Sequence, residues 1–557
     1  MRPHPLVVVV LVAVAMGLLI AVGSGTAIAS NGEDLTFACA AEPDEEFSDP
    51  EGGNETIGWF DGYWYNEPLE LNTSEGLNQS ELEKLSTRTA ARMEAMRCLP
   101  FEELPPIDVI DRDTFAENQG ASFEAWDEQS RQFDNKQFEM LLTIGSEVDS
   151  VEVRQESQAA TVGGYYDYVE KQIVIISDDN ESLTIDETVL AHELGHALQD
   201  QHFDLGQYDR QTLDRNNGKL GVIEGDVVRL EHDYESFCAT GAWVEPCMTD
   251  QGPADGETRQ PPNFAYYFMS FQPYSDGPAF IEHIYEEGGW EAVNALYDDM
   301  PRSSLYTIEP SYYGEVDVAE LEVPDQSAPE WDRLTWEDGP DHNVIGQAGI
   351  SAVFMGQSAE SPGSGIISLT TFQNFDETGS LDRSNPFNYQ FEETDGWRGD
   401  RLYVYTDTQN RTGSVWKTAW ENPEEMQQFK DAYEELAVYH GGEAVHGYED
   451  TWVFDESSDF DKVLTLHAEG DRLWIVGAPS IDAIDAIHEG MGPEEAGGDD
   501  PQLTPGIPDW PHLGNDDGTP ADPDGNGGWF DSPLTGFGLI VALAALFIVA
   551  GRYYRHD

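Results

Sequence analysis

Basic side chains are scarce in this sequence, which has 27 Lys and Arg against 108 Asp and Glu in 557 residues and a formal net charge of −81. Recognition of a phosphate backbone needs a surface rich in Lys and Arg, and a charge of this sign repels nucleic acid. We therefore expect no nucleic-acid partner. The hydrophobic fraction of 39% argues against wholesale disorder, and the length allows two or more domains.

The acidic residues are not gathered in a tail, because they alternate with aromatic and aliphatic residues from about residue 35 to residue 497. Lysine is especially rare, with seven residues in the chain. A folded surface that repels itself this strongly is tolerable in molar salt, where the Debye length is about 3 Å. The composition resembles that of halophilic archaeal proteins, whose folded domains face brine.

Long apolar runs are confined to the two ends of the chain. Residues 1–29 contain a short basic N-terminal region, an apolar run and a group of small residues before the polar Ser30. This is the layout of a secretory signal peptide. An uncleaved membrane anchor is the alternative. Residues 536–557 form a hydrophobic membrane or sorting tail whose final arginines favour a cytoplasmic C-terminus. Between the folded part and this tail, residues 499–535 are rich in Pro, Gly and Asp and predict an extended spacer.

The C-terminal tail resembles the Pro-Gly-Phe sorting signal that haloarchaeal archaeosortases process when they replace a hydrophobic tail with a lipid anchor. The resemblance depends on Gly536-Phe537-Gly538, the apolar run and the final arginines, although Pro533 is separated from Gly536 by two residues. It implies an archaeosortase as processing enzyme and attachment to the membrane through the tail or the lipid. We therefore expect a protein on the extracellular face of the cell surface.

Cysteine is also rare, with four residues, and export would allow these to form disulfides. Four cysteines permit three connectivities, and we predict the local one, Cys39 with Cys98 and Cys238 with Cys247. The sequence also has five Asn-x-Ser/Thr sequons, which are candidates for surface glycosylation. They are at Asn54, Asn72, Asn78, Asn180 and Asn410.

The sequence pattern predicts an α+β fold with three regions between the two ends. Residues 30–104 form an acidic segment with one clear helix, and residues 105–250 contain the motifs of a zincin-like metal-binding domain. Residues 251–498 form a C-terminal α+β region containing antiparallel hairpins. These boundaries follow changes in hydrophobic periodicity and clusters of Pro, Gly and Asp.

The middle region has a readable order of elements. Helical spacing over residues 114–143 is followed by two strands, over residues 163–167 and 172–177, joined by a polar turn. A helix comes next, and Thr184 and Glu187 have the spacing of a capping box at its start. An extended peptide could pair with the second strand, which we expect to lie at a sheet edge.

The most specific motif is His192-Glu193-Leu194-Gly195-His196, inside this helix. Histidines at i and i+4 lie one turn apart on the same helix face, so both imidazoles can reach one Zn²⁺ ion. Glu193 is then placed to accept a proton from a water molecule and to return it to a leaving amine. The alternative is a pair of solvated histidines on an ordinary helix.

A catalytic zinc ion needs a third protein ligand, and the downstream residues exclude the metzincin pattern. Glu224 on a second helix is the predicted third ligand, with Glu231 as the alternative. Asp226 is close enough to be the hydrogen-bond partner that ligand histidines usually have on their other ring nitrogen. His232 or Tyr234 could stabilise an oxyanion above the site, although either could be purely structural.

Together these segments resemble a group of zincin-like metallopeptidases of the gluzincin type, which in haloarchaea occur as exported surface proteins. The resemblance implies a zinc site at His192, His196 and Glu224 with Glu193 as general base. Residues 300–306 depart from the Pro-Pro-x-Ser-Thr-Glu-Gln segment that is usual in the group. The segments that carry the resemblance are Gly164–Asp167, Gln172–Ser177, Leu190–Phe203, Ile223–Asp226 and Gly288–Tyr297.

We therefore expect an exported, membrane-tethered zinc metallopeptidase that hydrolyses peptide bonds in peptide or protein substrates. The alternative is a surface-layer, adhesion or binding protein that keeps the zincin scaffold and cleaves nothing. More than half of the chain lies outside the metal motifs, which favours the alternative. The intact Glu193 favours the enzyme, because a structural zinc site has no need of a general base.

Overall fold

The computed structural model describes residues 10–13, 37–71, 76–124, 126–177, 185–208, 212–243, 245, 247–248, 261–335, 339–376, 378–454 and 458–494. The spacer and the C-terminal tail lie outside these residues, as does most of the predicted signal peptide. In the described part of the chain, no helix is long and apolar enough to cross a membrane.

Helices and strands alternate irregularly along the chain. The helices are α1 (Gln79–Arg97), α2 (Arg112–Glu124), α3 (Glu128–Met140), α4 (Ser150–Thr161), α5 (Glu187–Phe203), α6 (Leu213–Thr240), α7 (Phe264–Leu296), α8 (Leu305–Ile308), α9 (Gly346–Glu360), α10 (Leu369–Phe372), α11 (Pro423–Tyr439) and α12 (Ile481–Ile487). The strands are β1 (Val10–Ala13), β2 (Trp59–Phe60), β3 (Tyr63–Trp64), β4 (Ile107–Asp111), β5 (Gly164–Asp167), β6 (Gln172–Ser177), β7 (Trp331–Arg333), β8 (Trp397–Asp407), β9 (Thr412–Trp420), β10 (Gly442–Ala444), β11 (Thr451–Phe454), β12 (Val463–Glu469) and β13 (Arg472–Ala478).

A four-stranded sheet precedes the metal-motif helix α5 and has the order β1-β5-β6-β4. Strands β4 and β6 pair in parallel, and the other neighbours are antiparallel. The expectation that residues 172–177 form a sheet edge is wrong, because β6 is hydrogen-bonded on both sides. Strand β5 is nearer the edge, and its outer side pairs with β1.

The C-terminal region contains a seven-stranded antiparallel sheet of order β10-β11-β12-β13-β9-β8-β7. Two long hairpins, β8–β9 and β12–β13, form its centre, so the predicted antiparallel hairpins and the α+β class are confirmed. Helix α11 packs on this sheet, and the sequence Asn422-Pro423 predicts its start. The Asn422 side chain accepts hydrogen bonds from the backbone N–H groups of Glu424 and Glu425, and Pro423 is the first helical residue.

The sequence pattern also predicts separate helical segments over residues 264–271 and 278–299. Two predicted stretches have different boundaries in the structure. Residues 114–143 form two helices, because Asp127 caps α3 by accepting a hydrogen bond from the Ser130 N–H. Conversely, α7 continues through Pro273 and Pro278, and it breaks only at Gly288 and Gly289. The second glycine has φ 64°, a value that residues with a side chain rarely adopt.

Two cores hold these layers together. One surrounds α1 and α5, and the other fills the space between α3, α7, α9, α11 and the seven-stranded sheet. Both predicted disulfides, Cys39–Cys98 and Cys238–Cys247, are confirmed. The sequons at Asn78 and Asn410 are exposed and that at Asn54 is partly exposed, whereas Asn72 and Asn180 lie outside the described residues.

Candidate metal centre

Helix α5 carries the His192–His196 motif and lies in the interior of the molecule. Its N-cap is Asp186, whose side chain accepts a hydrogen bond from the Thr188 N–H at 2.9 Å. The predicted capping role of Glu187 is wrong, because that carboxylate is buried in ion pairs with Arg88 and Arg92 from α1. These bonds fix the start of α5 against α1, and residues 187–200 of the helix are buried.

The structure brings His192, His196 and Glu224 together, the first two from α5 and the third from α6. The two Nε2 atoms are 3.0 Å apart, and Glu224 Oε2 lies 3.2 Å from Nε2 of His196 and 3.5 Å from Nε2 of His192. Within the described part of the chain, this is the one group of three or more His, Cys, Asp and Glu side chains whose ligand atoms lie within 4.8 Å of one another.

These three distances fit a zinc ion. A tetrahedral ion with bonds of about 2.0–2.1 Å has ligand atoms about 3.3 Å apart. The donor set of two imidazole nitrogens and one carboxylate oxygen is also the set that catalytic zinc sites of the gluzincin type use. The residues present therefore fit the metal predicted from the motif.

Other side chains orient the two rings from behind. His192 Nδ1 is 2.8 Å from Glu231 Oε2, and His196 Nδ1 is 3.0 Å from Gln199 Oε1. Each Nδ1 donates its hydrogen to a side-chain oxygen, which leaves Nε2 as the ring nitrogen that faces the metal position. Glu231, the alternative ligand, is thus placed behind a histidine and not beside the predicted ligand atoms.

Asp226 needs a correction as the predicted partner of a histidine. It pairs with Arg97 at 2.9 Å and accepts a hydrogen bond from the Tyr297 hydroxyl at 2.8 Å. Its link to the metal centre is indirect, because the Gln199 amide donates to it at 3.3 Å. The residue stabilises the partner of His196 and does not contact the ring itself.

The cluster is strongly polarised. Burial alone would lower the pKa of His192, but the carboxylates of Glu231, Glu224 and Glu193 outweigh it and raise the pKa to about 10. Burial alone would raise the pKa of Glu224, but the adjacent His196 and His192 lower it to about 2. Glu224 is therefore a carboxylate at neutral pH, which is the form that binds a cation.

A tyrosine that the sequence analysis missed completes the cluster. Tyr274 lies on α7, and burial raises the pKa of its phenol well above 10, with further contributions from a hydrogen bond to Glu224 and from the Glu193 charge. Glu193 is itself fully buried. Its charge contributes to the raised pKa values of His192, Tyr274 and Tyr165 of β5. No motif in the sequence links α7 to the His-Glu motif, so only the helix packing places Tyr274 there.

Of the two predicted oxyanion-stabilising residues, Tyr234 lies elsewhere, whereas His232 has the carboxylate of Glu231 among its charged neighbours. Tyr234 donates a 2.6 Å hydrogen bond to Glu187 and accepts one from Arg92, so it belongs to the network that anchors α5 and not to the metal centre. His232 is partly buried on α6, and burial lowers its pKa. Within the described residues no hydrogen bond joins it to the metal ligands, and its charged neighbours include Arg383 and Asp382.

The metal centre draws on helices beyond the predicted metal-binding region. Helix α1 supplies Arg97 to Asp226, α7 supplies Tyr274, and the residue that caps the C-terminal end of α7 is Tyr297. The contacts of the cluster thus extend beyond residues 105–250. All three predicted ligands and Glu193 are at most 1% exposed.

Comparison with known proteins bears on a different part of the chain. Residues 332–488 match a family described as a domain of unknown function (DUF8575). This match begins in β7 and includes the seven-stranded sheet but none of the metal-centre residues. No curated protein and no solved structure matches the chain.

Proposed function

We propose that this protein is a zinc-dependent peptidase whose centre is held by His192, His196 and Glu224. The observation that carries the proposal is the arrangement of these three donor atoms at nearly equal separations, with a buried Glu193 next to one of them. A structural metal site would not need this carboxylate. The fold that we propose for the unit is zincin-like.

Each side chain of the centre would have a separate role in peptide hydrolysis. A zinc ion held there would polarise the scissile carbonyl and lower the pKa of a water molecule toward about 7. Glu193 accepts the proton of the attacking water and returns it to the leaving amine. The Tyr274 hydroxyl would donate a hydrogen bond to the oxygen that gains negative charge.

The substrate would bind along β5. This strand carries Tyr165, whose phenol is within range of the Glu193 charge, and its outer edge pairs antiparallel with Val10–Ala13. Those four residues belong to the predicted signal peptide, so its removal would open the edge to an extended peptide. We also propose that the chain is exported and held at the cell surface by its C-terminal tail, because two disulfides suit an oxidising compartment.

The decisive experiment compares the whole chain with Glu193→Gln in molar KCl. We expect one zinc ion per chain in both proteins by elemental mass spectrometry. Cleavage of a peptide library should fall by at least about 10²-fold in the variant, because a positioned general base contributes 10²–10⁴-fold. Glu170→Gln, an exposed substitution of the same chemistry, is the matched control and should cleave at the wild-type rate.

The non-catalytic alternative has one observation in its favour, since His192, Glu193 and His196 are fully buried. A surface protein that uses zinc only to join α5 and α6 would show the same burial. The same experiment separates the two functions. Stoichiometric zinc without cleavage that depends on Glu193 would overturn the peptidase and support the scaffold.

A further inference from the structure

A second candidate site lies away from the metal centre, in a cleft between α3 and the ends of the central strands β9 and β13 of the seven-stranded sheet. Its volume is about 330 Å³, within the range of small-molecule sites. Three basic side chains line it, Lys136, Lys462 and Arg411, together with three acidic ones, Glu139, Glu147 and Asp461. We call it the Lys462 cleft.

The charge balance of this cleft is unlike that of the chain. Bases and acids are equal in number along its walls, whereas acids outnumber bases fourfold over the whole sequence. Two of the seven lysines meet in it. In a molecule of charge −81, a cleft with balanced charges repels a negatively charged ligand less than an acidic surface does.

The two lysines are incompletely neutralised by the described residues around them. Lys136 and Lys462 both pair with one carboxylate, that of Glu139, and Lys462 also donates a hydrogen bond to the Glu139 backbone carbonyl. By contrast, the buried Lys430 pairs with two carboxylates, Glu434 at 2.9 Å and Asp450 at 3.2 Å. The Lys462 cleft therefore has an excess positive charge on its inner wall.

A structural role explains part of this arrangement. Lys462 contacts a carbonyl in the last turn of α3, where a cation stabilises the helix, and Lys136 and Glu139 form an i,i+3 pair. Neither role requires two lysines at one carboxylate. Burial lowers the pKa of Lys462 to about 8, since the Lys136 charge adds to the effect of burial and the Glu139 charge only partly offsets it. An added anion would therefore stabilise the charged form of Lys462.

The rim of the cleft restricts the ligand further. Glu147 and Asp461 are exposed there, and each would repel a second negative charge and attract an amine. We propose that the Lys462 cleft binds a free amino acid or a short peptide, with the ligand carboxylate on Lys462 and Lys136 and its ammonium group near the acidic rim.

The test measures how fast each lysine of the whole chain is acetylated by a neutral reagent in molar KCl, by peptide mass spectrometry. Glycine, glycylglycine, sodium acetate or sodium sulfate is added at constant ionic strength. We expect glycine or glycylglycine to slow the labelling of Lys462 about tenfold at pH 7, which corresponds to a rise of about one unit in its pKa. Lys430, equally buried, is the internal control. The amino groups of glycine and glycylglycine consume reagent and slow both lysines alike, so the tenfold change is that of the Lys462 rate relative to the Lys430 rate.

Variants give the second arm of the experiment. Lys136→Gln should reduce the protection of Lys462 severalfold, whereas Lys136→Arg should keep it, because the charge is retained. Protection by glycylglycine alone would assign the site to peptides, and protection by both zwitterions would assign it to amino acids and peptides alike. Equal protection by acetate or sulfate would overturn the amine requirement, and a Lys462 rate that no probe changes would overturn the site.

Discussion

At the scale of single residues, the carboxylate of Glu231 determines how His192 is presented. It lies 2.8 Å from Nδ1 of the ring and therefore holds the hydrogen on that nitrogen. We predict that Glu231→Gln lowers zinc affinity by about 10–100-fold, the usual cost of losing such a partner. Competition with a chelator of known affinity measures the change.

The control for this substitution is Asp233→Asn, two residues further along α6 and exposed to solvent. It removes one negative charge near the metal centre without touching a ligand. Equal zinc affinity in the two variants would show that Glu231 acts only through the overall field and does not orient the ring.

Tyr274 has a role that can be separated from metal binding. We predict that Tyr274→Phe lowers kcat at saturating zinc by about 10²-fold, as for loss of one oxyanion donor, and lowers zinc affinity by less than this through the lost hydrogen bond to Glu224. KM should change little. The control is Tyr267→Phe on the same helix, a buried tyrosine whose raised pKa is due to burial alone. A larger loss of zinc than of turnover would make Tyr274 a support of Glu224.

The residues of the metal centre that lie close together in the sequence could be predicted more easily than those that lie far apart. His192 and His196 share one helix face, so their spacing alone implied a common ligand. Glu224 followed from a second helix with a recognisable pattern. The outer partner Gln199 lies one turn beyond His196 on α5, so helical spacing could have indicated it. Tyr274 could not be predicted, because the angle between α6 and α7 decides which side chains of α7 reach the cluster.

At the scale of elements, the crossing of α6 and α7 depends on glycines. A Cβ atom at Gly225 would lie 2.4 Å from the backbone carbon of Gly277, and one at Gly277 would lie 2.6 Å from the Gly221 carbonyl oxygen. Backbone atoms cannot move aside as side chains do. This close approach brings Tyr274 of α7 to Glu224 of α6.

We therefore predict that Gly225→Ala lowers the free energy of unfolding by about 1–3 kcal/mol, the usual cost of overpacking, and weakens zinc binding as well. Denaturant unfolding with and without zinc measures both effects. Gly206→Ala is the control, because a Cβ there would meet its nearest neighbour at an ordinary 3.5 Å. An equally small effect of both substitutions would mean that the helices separate easily.

The positions of helices and strands along the chain could be predicted better than the strands with which they pair. The strands over residues 163–167 and 172–177 follow from their local pattern, and α11 follows from its capping residues. The position of β6 inside the sheet did not, because it depends on pairing with β4, which lies far away in the sequence. A local pattern indicates a strand but not which of its edges is covered.

At the scale of the whole molecule, two buried carboxyl groups join α6 to the C-terminal region. Burial raises the pKa of Asp214 to about 6 and that of Asp400 to about 7, where the charge of Asp214 adds to the effect. Gly346 lies between them, since its N–H donates to Asp400 at 2.9 Å and a Cβ there would lie 2.2 Å from Asp214 Oδ1.

These raised values fix the sign of a pH effect. A carboxyl group whose pKa is higher in the folded state stabilises the fold below its unfolded value of 3.8, and this contribution is lost as the pH rises to about 7. We predict that Asp214→Asn is more stable than wild type at pH 8, by more than about 1 kcal/mol, and similar to it at pH 4. Calorimetry at both pH values checks this, and a difference independent of pH would contradict it.

The net charge of −81 makes the stability of the whole chain depend on screening. The Debye length falls from about 10 Å at 0.1 M salt to about 3 Å at 1 M, so repulsion between surface carboxylates is relieved mainly within this range. We predict that the thermal midpoint rises steeply with KCl up to about 1 M and more slowly above it. Sucrose, which stabilises by exclusion from the surface without screening charges, is the control. An equal rise in sucrose at matched water activity would show that exclusion, and not charge repulsion, sets the salt requirement.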